Sequence, residues 1–87
     1  MTTLLNEADI KNRFRTLICE DLAPISHDEL ADDTNLTQGI LDSFALVVVF
    51  EHLEELVGRE LTDDERGRET VRSLEAIARF VTRERRA

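Results

Sequence analysis

Seven apolar residues in succession, Phe44-Ala45-Leu46-Val47-Val48-Val49-Phe50, constrain the fold of this chain most. The run continues as Glu51-His52-Leu53-Glu54-Glu55-Leu56-Val57 and stops at Gly58. Three valines together favour a strand. The continuation at helical period favours one helix from about Ser43 to Val57 instead. Asp42 is its natural N-cap and Gly58 its C-terminal stop. A run of seven is far too short to cross a bilayer. Leu46, Val49, Phe50, Leu53, Leu56 and Val57 recur at the spacing of one face and supply its core side. Phe44, Val47 and Val48 cannot all share that face, so the helix carries more apolar surface than the core needs.

The rest of the chain reads as helices joined by polar connections. Ile10, Phe14, Leu17, Ile18 and Leu22 form an amphipathic stripe, with Asn6 as N-cap and Glu7 and Asp9 in the first turn. Pro24 disfavours helical geometry at the residue before it, so this helix ends near Ala23. Ile25 to Gly39 has no sustained period and reads as a long polar loop, with a short helical turn at Asp28–Ala31. Leu30, Leu36 and Ile40 pin it to the core. After Gly58, Leu61 reaches the core from a loop. Thr62-Asp63-Asp64-Glu65 has capping-box spacing, and Gly67 interrupts what it starts. Ser73 caps a last helix with Leu74, Ile77, Ala78 and Val81 inward. Arg79, Arg83, Arg85 and Arg86 gather toward its C-terminus, where the helix dipole favours cations. The expected fold is all-α: three main helices in a small antiparallel bundle with one long crossing loop between the first two.

Residues 1–87 make one domain with one modest core. Nineteen acidic and eleven basic side chains give a net charge of −8. Such a chain repels nucleic acid and anionic membrane surfaces, and suits partners with basic patches. The single cysteine, Cys19, excludes an internal disulfide and a cysteine-based zinc site, and fits a reducing compartment. Met1 to Leu5 lack the basic segment and long apolar stretch of a secretory leader. The expected location is the cytoplasm.

Nucleophilic catalysis needs a base within hydrogen-bond reach of the nucleophile. His52 lies nine residues beyond Ser43, roughly 13 Å along a helix axis, out of reach. His27 lies in the loop. Both histidines read as solvated surface groups, and Cys19 as a partly buried small hydrophobe. Asp32, Asp33, Asn35 and Gly39 superficially suggest a calcium loop, and counting from Asp33, Asn35 and Thr37 fit it. Gln38 and Phe44, however, stand where the glycine and glutamate are required. No catalytic residue and no metal site is expected. Ser43 remains. It follows a long loop, Asp42 caps the helix in its place, and Val47 lies one turn on along the same face. An accessible hydroxyl beside an apolar patch marks an attachment site at a docking surface.

Gly39-Ile40-Leu41-Asp42-Ser43-Phe44 resembles the Gly-x-x-Asp-Ser-Leu motif of the acyl carrier protein family, which includes the peptidyl carrier proteins. The likeness extends over nearly the whole chain. Leu36 and Gly39 sit at the family's spacing before the serine, and Glu51, Glu54 and Glu55 follow it. Glu69-Thr70-Val71-Arg72-Ser73-Leu74-Glu75-Ala76-Ile77-Ala78 is similar to a stretch of specialised-metabolism carriers. The resemblance implies a four-helix bundle with a short third helix. It implies that Ser43 accepts 4′-phosphopantetheine from coenzyme A through a separate Mg²⁺-dependent phosphopantetheinyl transferase. The thiol of that arm then holds an acyl or aminoacyl group as a thioester. Asp42 is the adjacent motif residue. Phe44, Val47, Val48, Glu51, Glu54 and Glu55 are the expected docking residues for acyl-loading and acyl-processing enzymes. The chain is then a discrete monomeric carrier and not an enzyme. Phe44 in place of leucine, with Ala45, Val47 and Val48 making the early helix less acidic, favours a polyketide or nonribosomal pathway over primary fatty acid synthesis. The alternative is a small acidic helical adaptor that docks through Phe44, Val47 and Val48 without modification.

Overall fold

Asn6 begins the first helix by a reciprocal cap. Its Oδ1 accepts the Asp9 N–H at 2.8 Å, and the Asp9 carboxylate accepts the Asn6 N–H at 3.5 Å. A computed structural model describes residues 6–86. Met1 to Leu5, on which the reading of a secretory leader falls, and Ala87 lie outside the described residues, as do the side chains of Arg85 and Arg86. Helix α1 runs over Glu7–Leu17 and then widens into a π-helical turn, Ile18–Leu22. The Ala23 N–H donates to the Ile18 carbonyl at 2.8 Å and closes that turn. Ala23 itself is extended, as the proline after it requires. Ile10, Phe14 and Ile18 are fully buried, and Leu17 and Leu22 pack half-buried beside them.

Ala23 to Asp42 form no regular helix, yet this connection is not the long loop expected between the first two helices. It is a series of turns that satisfy their own polar groups. Ser26 Oγ accepts the Glu29 N–H at 3.3 Å while the Glu29 carboxylate accepts the Ser26 N–H at 3.2 Å, so the expected turn starts at Ser26 rather than Asp28. Asn35 Oδ1 accepts the Thr37 N–H at 3.0 Å, and the Leu41 N–H donates to the Leu36 carbonyl at 3.0 Å. Gly39 holds a left-handed conformation, φ +88°, inside this last turn. Leu30, Leu36 and Leu41 are buried and anchor the segment from below.

Polar ties hold it from the sides. Lys11 and Arg15 of α1 both pair with Asp32, and Arg15 Nε also donates to the Leu30 carbonyl at 3.2 Å. The Asp32 carboxyl is held below the usual carboxylate range by the Lys11 hydrogen bond first, with Arg15 adding to it against partial burial. From the other side, the Leu36 N–H donates to the Arg72 carbonyl at 2.7 Å and the Glu75 N–H to the Asp32 carbonyl at 3.0 Å.

Helix α2 spans Ser43–Val57, the range its apolar period predicts, and ends at Gly58 with φ +76°. Ala45, Val49 and Leu53 are its buried residues, while Leu46, Phe50, Leu56 and Val57 are half-buried against the core. The inward stripe therefore begins at Ala45, whose small side chain hides it in a list of large hydrophobes.

The four-helix bundle with its short third helix does not form among the described residues. The capping box at Thr62 does close: Thr62 Oγ1 accepts the Glu65 N–H at 3.2 Å, and the Glu65 carboxylate accepts the Thr62 N–H at 2.9 Å. Gly67 follows two residues later and the chain continues as turns, with the Gly67 N–H bonded to Asp64 and the Val71 N–H to Arg68. A cap cannot sustain a helix that glycine interrupts after one turn. Leu61 and Val71 are nonetheless buried from this segment.

The last helix, α3, covers Leu74–Arg86. Ser73 caps it, its Oγ accepting the Ala76 N–H at 3.1 Å. Leu74, Ile77, Ala78, Phe80 and Val81 are buried. Helix α1 packs mainly on α3, and α2 packs on α3 less extensively, so α3 is the shared partner. Arg59 ties the ends together: it holds the Glu65 carboxylate with both guanidinium arms, at 2.8 and 2.9 Å, and also pairs with Glu84 of α3. The described residues form three helices and no strand.

Candidate functional site

The N-terminus of α2 is where the chain exposes what it does not use for folding. Asp42 lies in extended backbone and its Oδ1 accepts the Ala45 N–H at 2.8 Å. Its carbonyl accepts the Leu46 N–H at 2.9 Å and begins the helical ladder. Ser43, the first helical residue, is exposed, and its hydroxyl makes no hydrogen bond among the described residues. The orphan N–H groups of a helix start and its dipole favour negative charge at this end, and no acidic residue occupies the first turn of α2 itself.

Beside the serine lies an apolar surface. Phe44 is 73% exposed and Val47 55%, the only large hydrophobics so exposed among the described residues. Val48 is half-buried and contributes an edge. Glu51 and Glu55 continue the exposed face of α2 toward its C-terminus. Glu54 does not join them. Its Oε2 accepts the Leu61 N–H at 2.9 Å and pairs with Arg66 at 2.7 Å. Of the three glutamates expected to face a partner, two are free and one holds the chain that follows the helix.

No base approaches Ser43. His52 is half-buried and packs edge-on to Phe14, with ring centroids 6.4 Å apart, so it is a core-lining residue and not a solvated one. His27 is exposed and lies 3.5 Å from Glu20. Cys19 is half-buried in the π-helical turn, and burial pushes its thiol up from the ordinary value, with Arg15 partly opposing. That is the environment of an inert thiol. Among the described residues, no three His, Cys, Asp or Glu side chains gather to hold a metal. No described helix is long and apolar enough to cross a membrane.

Two features of this region lack a sequence signal. The Glu54–Arg66 pair joins residues twelve apart across Gly58, with no periodic relation. Asp32, the hub of the connection, stands between Ala31 and Asp33 with nothing local to single it out. Ala45 could have been found, since it precedes Val49 and Leu53 by four and eight residues on the same helical face. No family model, no curated protein and no solved structure matches the chain.

Proposed function

We propose that the chain is a carrier protein that bears acyl or aminoacyl intermediates on a 4′-phosphopantetheine arm attached at Ser43. The observation that carries this reading is the unengaged, exposed Ser43 hydroxyl on a helix start that Asp42 already caps. The residues present fit such a group. Ser43 Oγ is the atom that forms the phosphodiester, and the α2 N-terminus stabilises the negative charge placed there. The arm supplies the thiol that carries the cargo as a thioester. The chain supplies no base, because a transferase using coenzyme A provides the chemistry of attachment. Phe44, Val47 and the edge of Val48 then form the apolar contact for successive enzymes, with Glu51 and Glu55 pairing with basic side chains on them. Glu54 is left to its structural role. In this reading the turns of residues 62–71 stand where the carrier family has its short third helix, and Ala23 to Asp42 where it has a long loop.

The carrier acts in the cytoplasm, as a monomer, in a polyketide or nonribosomal type of pathway. An α2 with no acid before Glu51 supports that choice over primary fatty acid synthesis. The deciding experiment is incubation with coenzyme A and several active phosphopantetheinyl transferases, read by intact mass. One added phosphopantetheine, abolished by Ser43→Ala, is the expected result. The exposure of Phe44 and Val47 equally suits an adaptor that docks without modification. An unchanged mass with every transferase would favour that second reading.

A further inference from the structure

Arg59 to Arg66, the segment that follows α2, lies between two of the three glycines of the chain, Gly58 and Gly67. Gly58 is left-handed, at φ +76°. Leu61 is the only apolar side chain of the segment and its only buried residue. One such side chain is a weak anchor, and segments with few buried apolar contacts open locally before the core does. The backbone bonds of the segment stay local: the Arg66 N–H donates to the Thr62 carbonyl at 3.1 Å and the Gly67 N–H to the Asp64 carbonyl at 3.2 Å. Among the described residues, no backbone–backbone hydrogen bond joins it to a helix.

Charged side chains make the ties to the helices instead. Glu54 Oε2 of α2 accepts the Leu61 N–H at 2.9 Å and pairs with Arg66 at 2.7 Å. Arg66 Nε donates to the Leu61 carbonyl at 3.4 Å. The two partners of one ion pair therefore hold the donor and the acceptor of the same residue. At the other side Arg59 pairs with Glu84 of α3. All four of these side chains are partly exposed, so salt weakens what holds the segment down.

We propose that Arg59 to Arg66 is a strap that opens as one unit between its two glycines while the helices stay packed, and that opening returns Glu54 to the exposed face of α2. Glu51, Glu54 and Glu55 stand at i, i+3 and i+4, within one helical turn. With the strap closed, Arg66 neutralises Glu54, and the face presents the carboxylates of Glu51 and Glu55. With the strap open, it presents all three. On the docking reading of α2, on which this last step rests, the strap sets how strongly that face attracts a basic partner. Such a partner in turn favours the open strap, by linkage.

The test uses the full, unmodified chain with no partner present, so its outcome is separate from that of the transferase experiment. Hydrogen exchange, and carbodiimide labelling of carboxyl groups with an added amine, are both read by peptide mass at about 50 mM and about 1 M sodium chloride. At low salt the amides of the strap should exchange faster than those of α1 and α3, and high salt should speed them about fivefold. Screening the self-repulsion of a chain of net charge −8 should have the opposite effect on α1 and α3, slowing their exchange. Glu54 should label more slowly than Glu51 and Glu55 at low salt and approach their rate at high salt. Arg66→Gln should show the high-salt behaviour of the strap and of Glu54 already at low salt, with exchange in α1 unchanged. Arg68→Gln, just beyond Gly67 and at an arginine with no ion pair among the described residues, should leave both readouts as in the parent. The proposal is overturned if the strap exchanges only together with α1 and α3, or if salt and Arg66→Gln speed all amides alike. It is also overturned if Glu54 labels as fast as Glu51 and Glu55 from the start, or stays slow when the strap opens.

Discussion

The Asp42 carboxylate, not the Ser43 hydroxyl, accepts the Ala45 N–H at the start of α2, at 2.8 Å. Two adjacent residues that both favour helix starts have divided the work, one capping and one left over. The division predicts opposite outcomes for the two alanine variants. Asp42→Ala removes a cap and should cost about 1 kcal/mol. Ser43→Ala removes an exposed group with no partner and should change stability by no more than about 0.5 kcal/mol. Urea unfolding of both variants measures this. A larger loss at Ser43 than at Asp42 would mean that the serine, not the aspartate, holds the helix start.

The same helix separates core from surface within one turn. Leu53 is fully buried, so Leu53→Ala should cost about 2–5 kcal/mol through lost transfer energy and the cavity left behind. Val47→Ala, on the exposed face, should fall within about 0.5 kcal/mol of the parent. Phe44→Ala should likewise leave folding almost unchanged, because little of the ring is taken out of water. If chemical denaturation gave Phe44→Ala a loss comparable to that of Leu53→Ala, the apolar patch would belong to the core and not to a partner.

What the sequence made legible follows the range of the interactions. Both bounds of α2 could be read because the cap, the apolar period and the stop at Gly58 lie within the helix or beside it. Leu30, Leu36 and Leu61 could be placed inward because each is a lone apolar residue in a polar stretch. The missing short helix is a local conflict: Thr62 and Glu65 start a helix, Gly67 stops it, and both signals are present in the chain. The order of the Ala23 to Asp42 connection was not legible. It depends on Asp32 meeting Lys11 and Arg15, and on Leu36 meeting the Arg72 carbonyl, pairings that no local pattern encodes. At the site, the exposure of Ser43 and Phe44 followed from the helix period. The withdrawal of Glu54 from the exposed face depended on Arg66, which only the turn after Gly58 brings near.

Cys19 offers a chemical check on the π-helical turn. Burial raises its thiol above the ordinary value, so less thiolate is present at neutral pH than for a free cysteine. Alkylation by iodoacetamide should be slower in the folded protein than in urea and should accelerate as the pH is raised. The readout is intact mass against time. Equal rates in the folded and unfolded protein would place the thiol in open solvent and contradict its packing against the core.

Glu65 links pH to the clasp between the segment after α2 and the end of α3. Its carboxyl is lowered to about 2, chiefly by the hydrogen bond with Arg59 and then by the Thr62 N–H. A carboxyl lowered on folding contributes stability that is fully present above its unfolded value, which is 4.5. As the pH falls from there toward about 2, the unfolded chain takes up the proton first and the contribution fades. Arg59 is exposed and Glu65 partly so, and salt therefore screens the interaction and its share of the stability is small. The expected outcome is that Glu65→Gln flattens the acid limb of the stability curve below that unfolded value, and that high salt flattens the parent curve in the same window. Arg59→Gln should do the same and should in addition loosen the end of α3, because it also releases Glu84. Hydrogen exchange at the backbone of residues 80–84 distinguishes the two variants: faster exchange for Arg59→Gln than for Glu65→Gln is required if one guanidinium serves both carboxylates.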